Sequence, residues 1–440
     1  IQKVVSFEEE SFAKTIDQGM ALLNELIDKA DSQVFSGDNA FTLNDTYGFP
    51  LDLTKEILSE RGMQVDEERF RQLMQEQRER ARNARKDAGA DAWKGEGSAA
   101  AGLPETVFTG YTQMQGDGKV LAIIQNGQQV DSAAEGAEVS VVLDTTPFYG
   151  EGGGQVGDTG VLEAEGVSVD VVDTTKHEGV YLHRAVVSEG TLNVGDTLTA
   201  KVDEHRRTAI MRNHTAAHLL QAALRKVLGS HVEQAGQLVN ERHVRFDFTH
   251  FSALTPEELL QVENLVNQEI LKAVPVSVQE MGIEEARLSG AMALFGEKYG
   301  DVVRVVSVED GFSKELCGGT HMDNTARLGL FKILSESSVA SGVRRIEGVT
   351  AMGVLDLLSV QMATLRDSAR AMKVINPMEL PLHAQQMMAQ LKEKDKEIES
   401  LNAKLAQNRL DGVFQNAQEV DGVKVVFALL SGTGSDALRA

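Results

Sequence analysis

The chain has 440 residues, 42% hydrophobic, 25% charged and 5% aromatic, and a formal net charge of −23 at pH 7. That length predicts roughly two to four globular domains, and the acidity excludes a general polyanion binder, so any nucleic-acid partner has to be met by local basic surface. A single cysteine, Cys317, excludes an internal disulfide and fits a reducing, cytoplasmic compartment, and the lack of any apolar run of about 18 residues excludes a transmembrane helix.

The opening IQKVVSFEEE has neither the basic start nor the apolar run of a secretory signal, and it lacks an initiator Met, so the expected N-terminus lies upstream. Residues 1–90 predict a helical domain. Ser6 and Glu9 form a capping box, and Phe12, Ile16, Met20, Leu23 and Ile27 recur as one apolar stripe. Gly48 and Pro50 mark a turn between helices. The stretch from Asp66 to Lys86, dense in Arg and Glu, reads as a solvated helix laced with ion pairs rather than as an RNA-binding arm.

An Ala- and Gly-rich segment makes 91–105 a linker. Residues 106–205 carry short β-type runs (KVLAIIQ, AEVSVVLD, GVSVDVVD) between Gly, Asn and Asp turn signals, as a small antiparallel barrel or sandwich does. Residues 206–352 mix helix and strand, including a helix supported by Ile210, Leu219, Leu220 and Leu224. Residues 353–412 predict a helical hairpin around NPMELP; Leu391, Ile398 and Leu405 recur every seven residues, with Leu401 between them, as a short coiled-coil seam would. Residues 413–440 offer a strand and the start of a helix, the opening of a truncated domain. The expected fold class is α+β, multidomain.

The chemistry concentrates in two short motifs. His214 and His218, in RNHTAAHLL, share one helix face. About a hundred residues later ELCGGTH places Cys317 and His321 four apart, with Gly318 and Gly319 permitting a tight backbone between them. Three imidazoles and a thiolate suit tetrahedral zinc. Four protein ligands describe a closed, structural site; with one ligand displaceable, zinc could instead lower the pKa of a bound water to about 7 and polarise an ester carbonyl. The residues alone leave both readings open.

RNHTAAHLL, ELCGGTH and SGVRRIEGVT resemble the editing domain of the alanyl-tRNA synthetase family. TPFYGEGGGQVGD is similar to that family's glycine-rich loop, and LNDTYGFPLDLT to a segment of its tRNA-recognising helical domain. The two zinc motifs also resemble threonyl-tRNA synthetase and free-standing editing proteins; DTYGFP selects among them. The resemblance implies one zinc ion held by His214, His218, Cys317 and His321 in a deacylation pocket, with Gln234 helping to recognise the misactivated amino acid. It implies that Gly153, Gly154 and Gln155 approach the aminoacylated adenosine, that Arg344 and Arg345 lie near the tRNA end, and that Asp45 reads the acceptor-stem G·U pair. The expected reaction is hydrolysis of Ser-tRNA(Ala) and Gly-tRNA(Ala), with His214, Cys317 and Gln234 central to it. The expected partners are the acceptor end of tRNA(Ala) and, through the C-terminal region, a second copy; no membrane is involved. ATP and Mg²⁺ belong to a class II aminoacylation core that is expected outside this chain. Two departures stand out: the loop reads GEGGGQ where many relatives carry a serine before the paired glycines, and Gln237 follows Gly236 in place of a serine. The rival readings are a free-standing trans-editing hydrolase and a non-catalytic, zinc-stabilised tRNA-docking or dimerisation module.

Overall fold

The computed structural model describes residues 2–29, 32–85, 99–293, 300–414, 418–420 and 422–425. They fall into two compact units, Ile1–Val354 and Leu355–Ala440.

The first unit begins with helices α1 (Gln2–Asp28), α2 (Gly37–Asp45), α3 (Leu51–Glu60) and α4 (Glu67–Arg85). They pack around Leu23, Phe35, Leu43, Phe49 and Leu58. Ile16, Met20 and Ile27 join that core, whereas Phe12 is 59% exposed. Helix α1 runs through Ser6, which therefore does not stand at the N-cap position expected for it. Of the expected linker 91–105, residues 91–98 lie outside the described residues.

Six strands then close an antiparallel barrel: β1 (Gln115–Gln125), β2 (Glu138–Leu143), β3 (Gly160–Ala164), β4 (Val167–His177), β5 (Val180–Glu189) and β6 (Thr197–Val202). Their order is β6-β3-β4-β5-β2-β1, and β1 returns to β6. Closure depends on the length of β1, whose first half pairs with β6 (Lys119 with Thr197) while its second half pairs with β2 (Ile123 with Val141). Alternation supplies the interior: Val139, Val141, Leu143, Val169, Val171, Ala185, Val187, Leu198 and Ala200 all point into one buried cluster.

Helix α5 (Glu204–Leu228) follows the barrel directly. Asp203 caps it by accepting the Arg206 N–H, and Arg225 and Lys226 in its last turn suit the negative end of the helix. With α6 (Pro256–Leu271), which starts on a full Thr255–Glu258 capping box, it packs against an antiparallel sheet. That sheet has the order β7 (Gln234–Val239), β8 (Val244–Thr249), β13 (Val343–Thr350), β12 (Phe331–Ala340). A smaller sheet of β9 (Val276–Gly282), β10 (Val302–Val308) and β11 (Lys314–Leu316) stands beside it, with the short helix α7 (Ile283–Leu288).

Barrel and α5 are joined by a buried ion pair. Arg207, fully buried, donates Nε to both Asp158 carboxylate oxygens (2.8 and 2.9 Å), Nη1 to the Gly110 carbonyl and Nη2 to the Pro147 carbonyl. Asp158 also accepts the Tyr149 N–H at 2.7 Å. This network anchors the glycine-rich loop against the helix that carries the two histidines.

Further on lie helices α8 (Met352–Ala371) and α9 (Leu380–Phe414), with a short 3₁₀ turn at Pro377–Glu379 between them. On α9, Leu391, Ile398, Leu401 and Leu405 are each more than half exposed. Where one strand was expected near the C-terminus, Gln418–Val420 and Val423–Val425 form an antiparallel pair; the helix start expected in SDALRA lies outside the described residues. Among the described residues no helix is long and apolar enough to cross a membrane. The described residues make a mixed α/β multidomain fold, with a closed six-stranded barrel in the first unit.

Candidate metal centre

Helix α5 presents His214 and His218 one turn apart, and the loop after β11 presents Cys317 and His321. One ligand atom from each of the four lies within 4.8 Å of every other. The Cys317 thiol sits 3.4 Å from His214 Nε2 and 3.3 Å from His321 Nε2. Zinc–sulfur and zinc–nitrogen bonds of about 2.3 and 2.0 Å at tetrahedral angles put sulfur and nitrogen about 3.5 Å apart. Cys317, His214 and His321 thus stand at the sulfur–nitrogen spacing that suits zinc.

Gly319 shows why the intervening loop is so small. A Cβ there would fall 2.1 Å from His214 Cε1 and 2.9 Å from Gln155 Oε1, while Gly318 faces open space. The expected tight backbone is thus a matter of close approach to the imidazole at Gly319; neither glycine adopts positive φ.

The surroundings decide which ring nitrogens face the centre. Gln155, fully buried, accepts the Thr320 N–H at 2.9 Å through Oε1, which fixes its amide orientation. The same oxygen lies 2.8 Å from His214 Nδ1 and can only accept, so Nδ1 carries the proton and Nε2 keeps its lone pair toward Cys317. Thr215 acts alike for His321: its hydroxyl donates to the Met211 carbonyl, leaving the oxygen to face His321 Nδ1 at 3.3 Å. Burial, then the neighbouring His218 and Arg304, hold His214 well below the ordinary imidazole range. His321 is depressed for the same reasons, and burial with the Arg304 charge brings His218 down to about 3. Neutral imidazoles with outward protons are what a metal requires. Beside His218, at 3.7 Å, lies the Glu315 carboxyl, which burial pushes up to about 8.

Arg304 carries no motif, and sequence reasoning missed it. From β10 its Nη1 donates to the carbonyls of Cys317 (2.9 Å) and Gly319 (2.7 Å), clamping the ligand loop. A lone cation in the apolar run DVVRVVSV was the available signal. Thr215 and Thr320 were missed as well; they stand next to ligands, but their roles depend on the fold.

Of the four ligands only Cys317 is partly exposed, and it lines a cleft of about 290 Å³. The cleft is walled by Tyr111, Tyr149, Tyr181 and Lys176 and by the glycine-rich loop from Gly150 to Gly153. That loop docks on β7: the Val239 N–H donates to the Gly154 carbonyl and the Val156 N–H to Val239. Gly153 and Gly154 have φ of +56° and +79°, and a Cβ at Gly154 would meet Gln237 at 2.5 Å. Gln237, the departure noted above, lines the cleft and donates to the Gly153 carbonyl at 2.6 Å.

The remaining expected residues are placed differently. Gln155 is buried behind His214 instead of opening onto the cleft. Gln234 begins β7, half-buried, and among the described residues it does not line the cleft. Arg344 is paired bidentately with Glu336 (2.5 and 2.8 Å) and Arg345 with Asp247 (2.6 and 2.7 Å), so both guanidiniums are engaged with carboxylates. Asp45 ends α2 far earlier in the chain, where it accepts from Gln77 Nε2.

The model for class II (A) tRNA synthetases matches residues 1–206, and the model for the second additional domain of threonyl and alanyl tRNA synthetases matches residues 303–347, which contain Cys317 and His321. The chain is 49% identical over 444 residues to the alanine–tRNA ligase of Acetivibrio thermocellus, covering 100% of this chain and 50% of that protein. It is 46% identical to the alanine–tRNA ligase of Bacillus subtilis and 47% to that of Alkaliphilus oremlandii, with the same coverage. The chain spans about half the length of these curated relatives. On the match along its whole length, the chain belongs to the alanyl-tRNA synthetase family.

Proposed function

We propose that the centre is a zinc-dependent editing site that hydrolyses the ester of Ser-tRNA(Ala) and, less efficiently, Gly-tRNA(Ala), within a protein whose whole-length activity is ATP-dependent attachment of alanine to tRNA(Ala). The observation that carries this is the position of Cys317: three ligands are buried while the thiol opens onto the cleft. Four protein ligands normally close a structural site, and the partly exposed thiol is the ligand that a substrate or water could displace to open a position. When bound, zinc supplies Lewis acidity toward an ester carbonyl. Gln155 and Thr215 hold the ligand tautomers, Arg304 holds the ligand loop, and the glycine-rich loop on β7 limits what can reach the thiol.

The need for such a site is physical. A pocket that admits alanine rejects glycine only by the value of one methyl, about 1–3 kcal/mol, and rejects an added hydroxyl no better. A second, hydrolytic pocket makes good the difference. Deacylation of Ser-tRNA(Ala) by the zinc-loaded chain tests the reading, against a Cys317→Ala/His214→Ala double variant. Hydrolysis by the wild type and its loss in the variant are expected. Retention in the variant would remove the metal centre from the chemistry, and inactivity of both proteins would favour a zinc-stabilised docking module.

A further inference from the structure

We infer that a second, basic cleft at the C-terminal end of α5 grips the phosphodiester backbone of an RNA strand through Arg225, Lys226 and Lys314. The inference rests on RNA as the partner proposed above, and it is independent of the hydrolysis.

The cleft, about 420 Å³, lies where the last turn of α5 meets the start of β11 and the turns at Gly290 and Gly311. It shares no lining residue with the cleft at Cys317. Arg225 follows His218 by two helical turns, about 10 Å along the axis, so the two sites are distinct.

Each cation is held by a neutral partner. Arg225, half-buried, donates Nη1 to the Val232 carbonyl at 2.6 Å. Lys226 Nζ stands 3.8 Å from the centroid of the Phe312 ring, and Lys314 Nζ donates to the Ser289 carbonyl at 3.3 Å. These contacts position the three groups without neutralising them. Among the described residues no carboxylate lies at ion-pair distance from any of the three. Of the nearby acids, Asp310 pairs with Lys272, and Glu315 is buried and accepts from Ser313. Lys332, Arg344 and Arg345, on the neighbouring sheet, are by contrast each matched to a carboxylate. The negative end of α5 offsets only about half a charge against three. A cationic cleft thus persists in a chain whose net charge is −23.

The donor types suit phosphate. The remaining N–H groups of Arg225 form a planar fork, and the two ammonium groups are point charges. Ser230 adds a hydroxyl at the exposed rim. Gly290 and Gly311 face open space where a side chain would begin, so the walls leave room for a strand to pass. Cations supplied by separate elements around an open cleft match a run of phosphates along a backbone better than one enclosed anion.

The test is fluorescence anisotropy of the zinc-loaded chain with a labelled, unacylated RNA hairpin, titrated at several salt concentrations. Lys226→Gln/Lys314→Gln should weaken binding about tenfold at low salt and reduce the slope of log Kd against log salt by about 2, one for each lysine. Lys226→Arg/Lys314→Arg should keep both. Lys119→Gln/Lys201→Gln removes the same charge from exposed positions on the barrel and should leave the slope unchanged. An unaltered Kd and slope in the first variant overturns the site, as does an equal loss in the barrel variant, which would reduce the effect to net charge. Inorganic phosphate binding wild type as tightly as the hairpin would assign the cleft to a free anion and overturn the RNA contact. The two readings fail separately: a lysine-dependent slope without Ser-tRNA(Ala) deacylation sinks only the hydrolytic one, and deacylation with a lysine-independent slope sinks only the phosphate site.

Discussion

Gln155 Oε1 stands 2.8 Å from His214 Nδ1 and accepts the Thr320 N–H at 2.9 Å, so one buried amide touches both motifs of the centre. Its amide also donates to Thr320, 165 residues away in the chain. No local pattern encodes a contact of that range. The four candidate ligands stand in local patterns, one-turn spacing on a helix and a Cys-Gly-Gly-Thr-His loop, whereas the residues that set their tautomers follow no local pattern. Gln155→Leu keeps the volume and leaves His214 Nδ1–H and the Thr320 N–H without their acceptor. Zinc affinity should fall about 10–100-fold, read by competition with a chelating dye. An unchanged dissociation constant in a variant with wild-type circular dichroism would show that Gln155 does not orient the ligand.

The elements were more readable than their assembly. Alternation in AEVSVVLD and GVSVDVVD marks strands because one face of each enters the barrel core, as Val139, Val141, Val169 and Val171 do. Closure was not readable, since it rests on β1 dividing its length between β6 and β2. The stiff joint between barrel and α5 was equally hidden: Arg207 looks like any charged residue at a helix start, yet it is fully buried on Asp158. Removing one partner strands a buried charge, so Arg207→Ala should cost about 3–5 kcal/mol in chemical denaturation; a loss within the error of a surface substitution would mean that the pair is open in solution. Inside the barrel, His183 lies 2.7 Å from the Thr146 hydroxyl and 2.9 Å from the Val141 carbonyl, and burial brings its imidazole down to about 4. The folded barrel thus binds fewer protons there than the unfolded chain does. Its contribution is complete above the ordinary value of 6.5, declines as pH falls from 6.5 toward 4, and levels off below. The decline amounts to about 3 kcal/mol. An imidazole NMR titration should place the His183 midpoint near 4; a midpoint near 6.5 would contradict the buried, neutral assignment.

At the scale of the whole molecule, a net charge of −23 means that an RNA partner would not be drawn in by long-range attraction, so local basic surface would have to position it. Length alone forecast several domains, but how they group depends on contacts far apart in sequence, and helices α1 to α4, the barrel and the core carrying the four candidate ligands fall together in Ile1–Val354. Within that unit the proposed zinc would bridge α5 to a loop 103 residues further on. Ligand binding to the folded state alone stabilises it by about 4 kcal/mol at a free concentration a thousandfold above the dissociation constant. For a body of this size that corresponds to a rise in melting temperature of about 5 °C. Leu355–Ala440 carries none of the four ligands. Calorimetry with and without a strong chelator should therefore lower the transition that involves the metal-bearing core, while any separate transition of the α9 helix stays fixed. Restoring zinc, but not magnesium, should return the shifted transition, because thiolate and imidazole ligands favour the softer ion. A melting curve indifferent to the chelator, in protein shown to contain zinc beforehand, would mean that the ion adds nothing to the folded state.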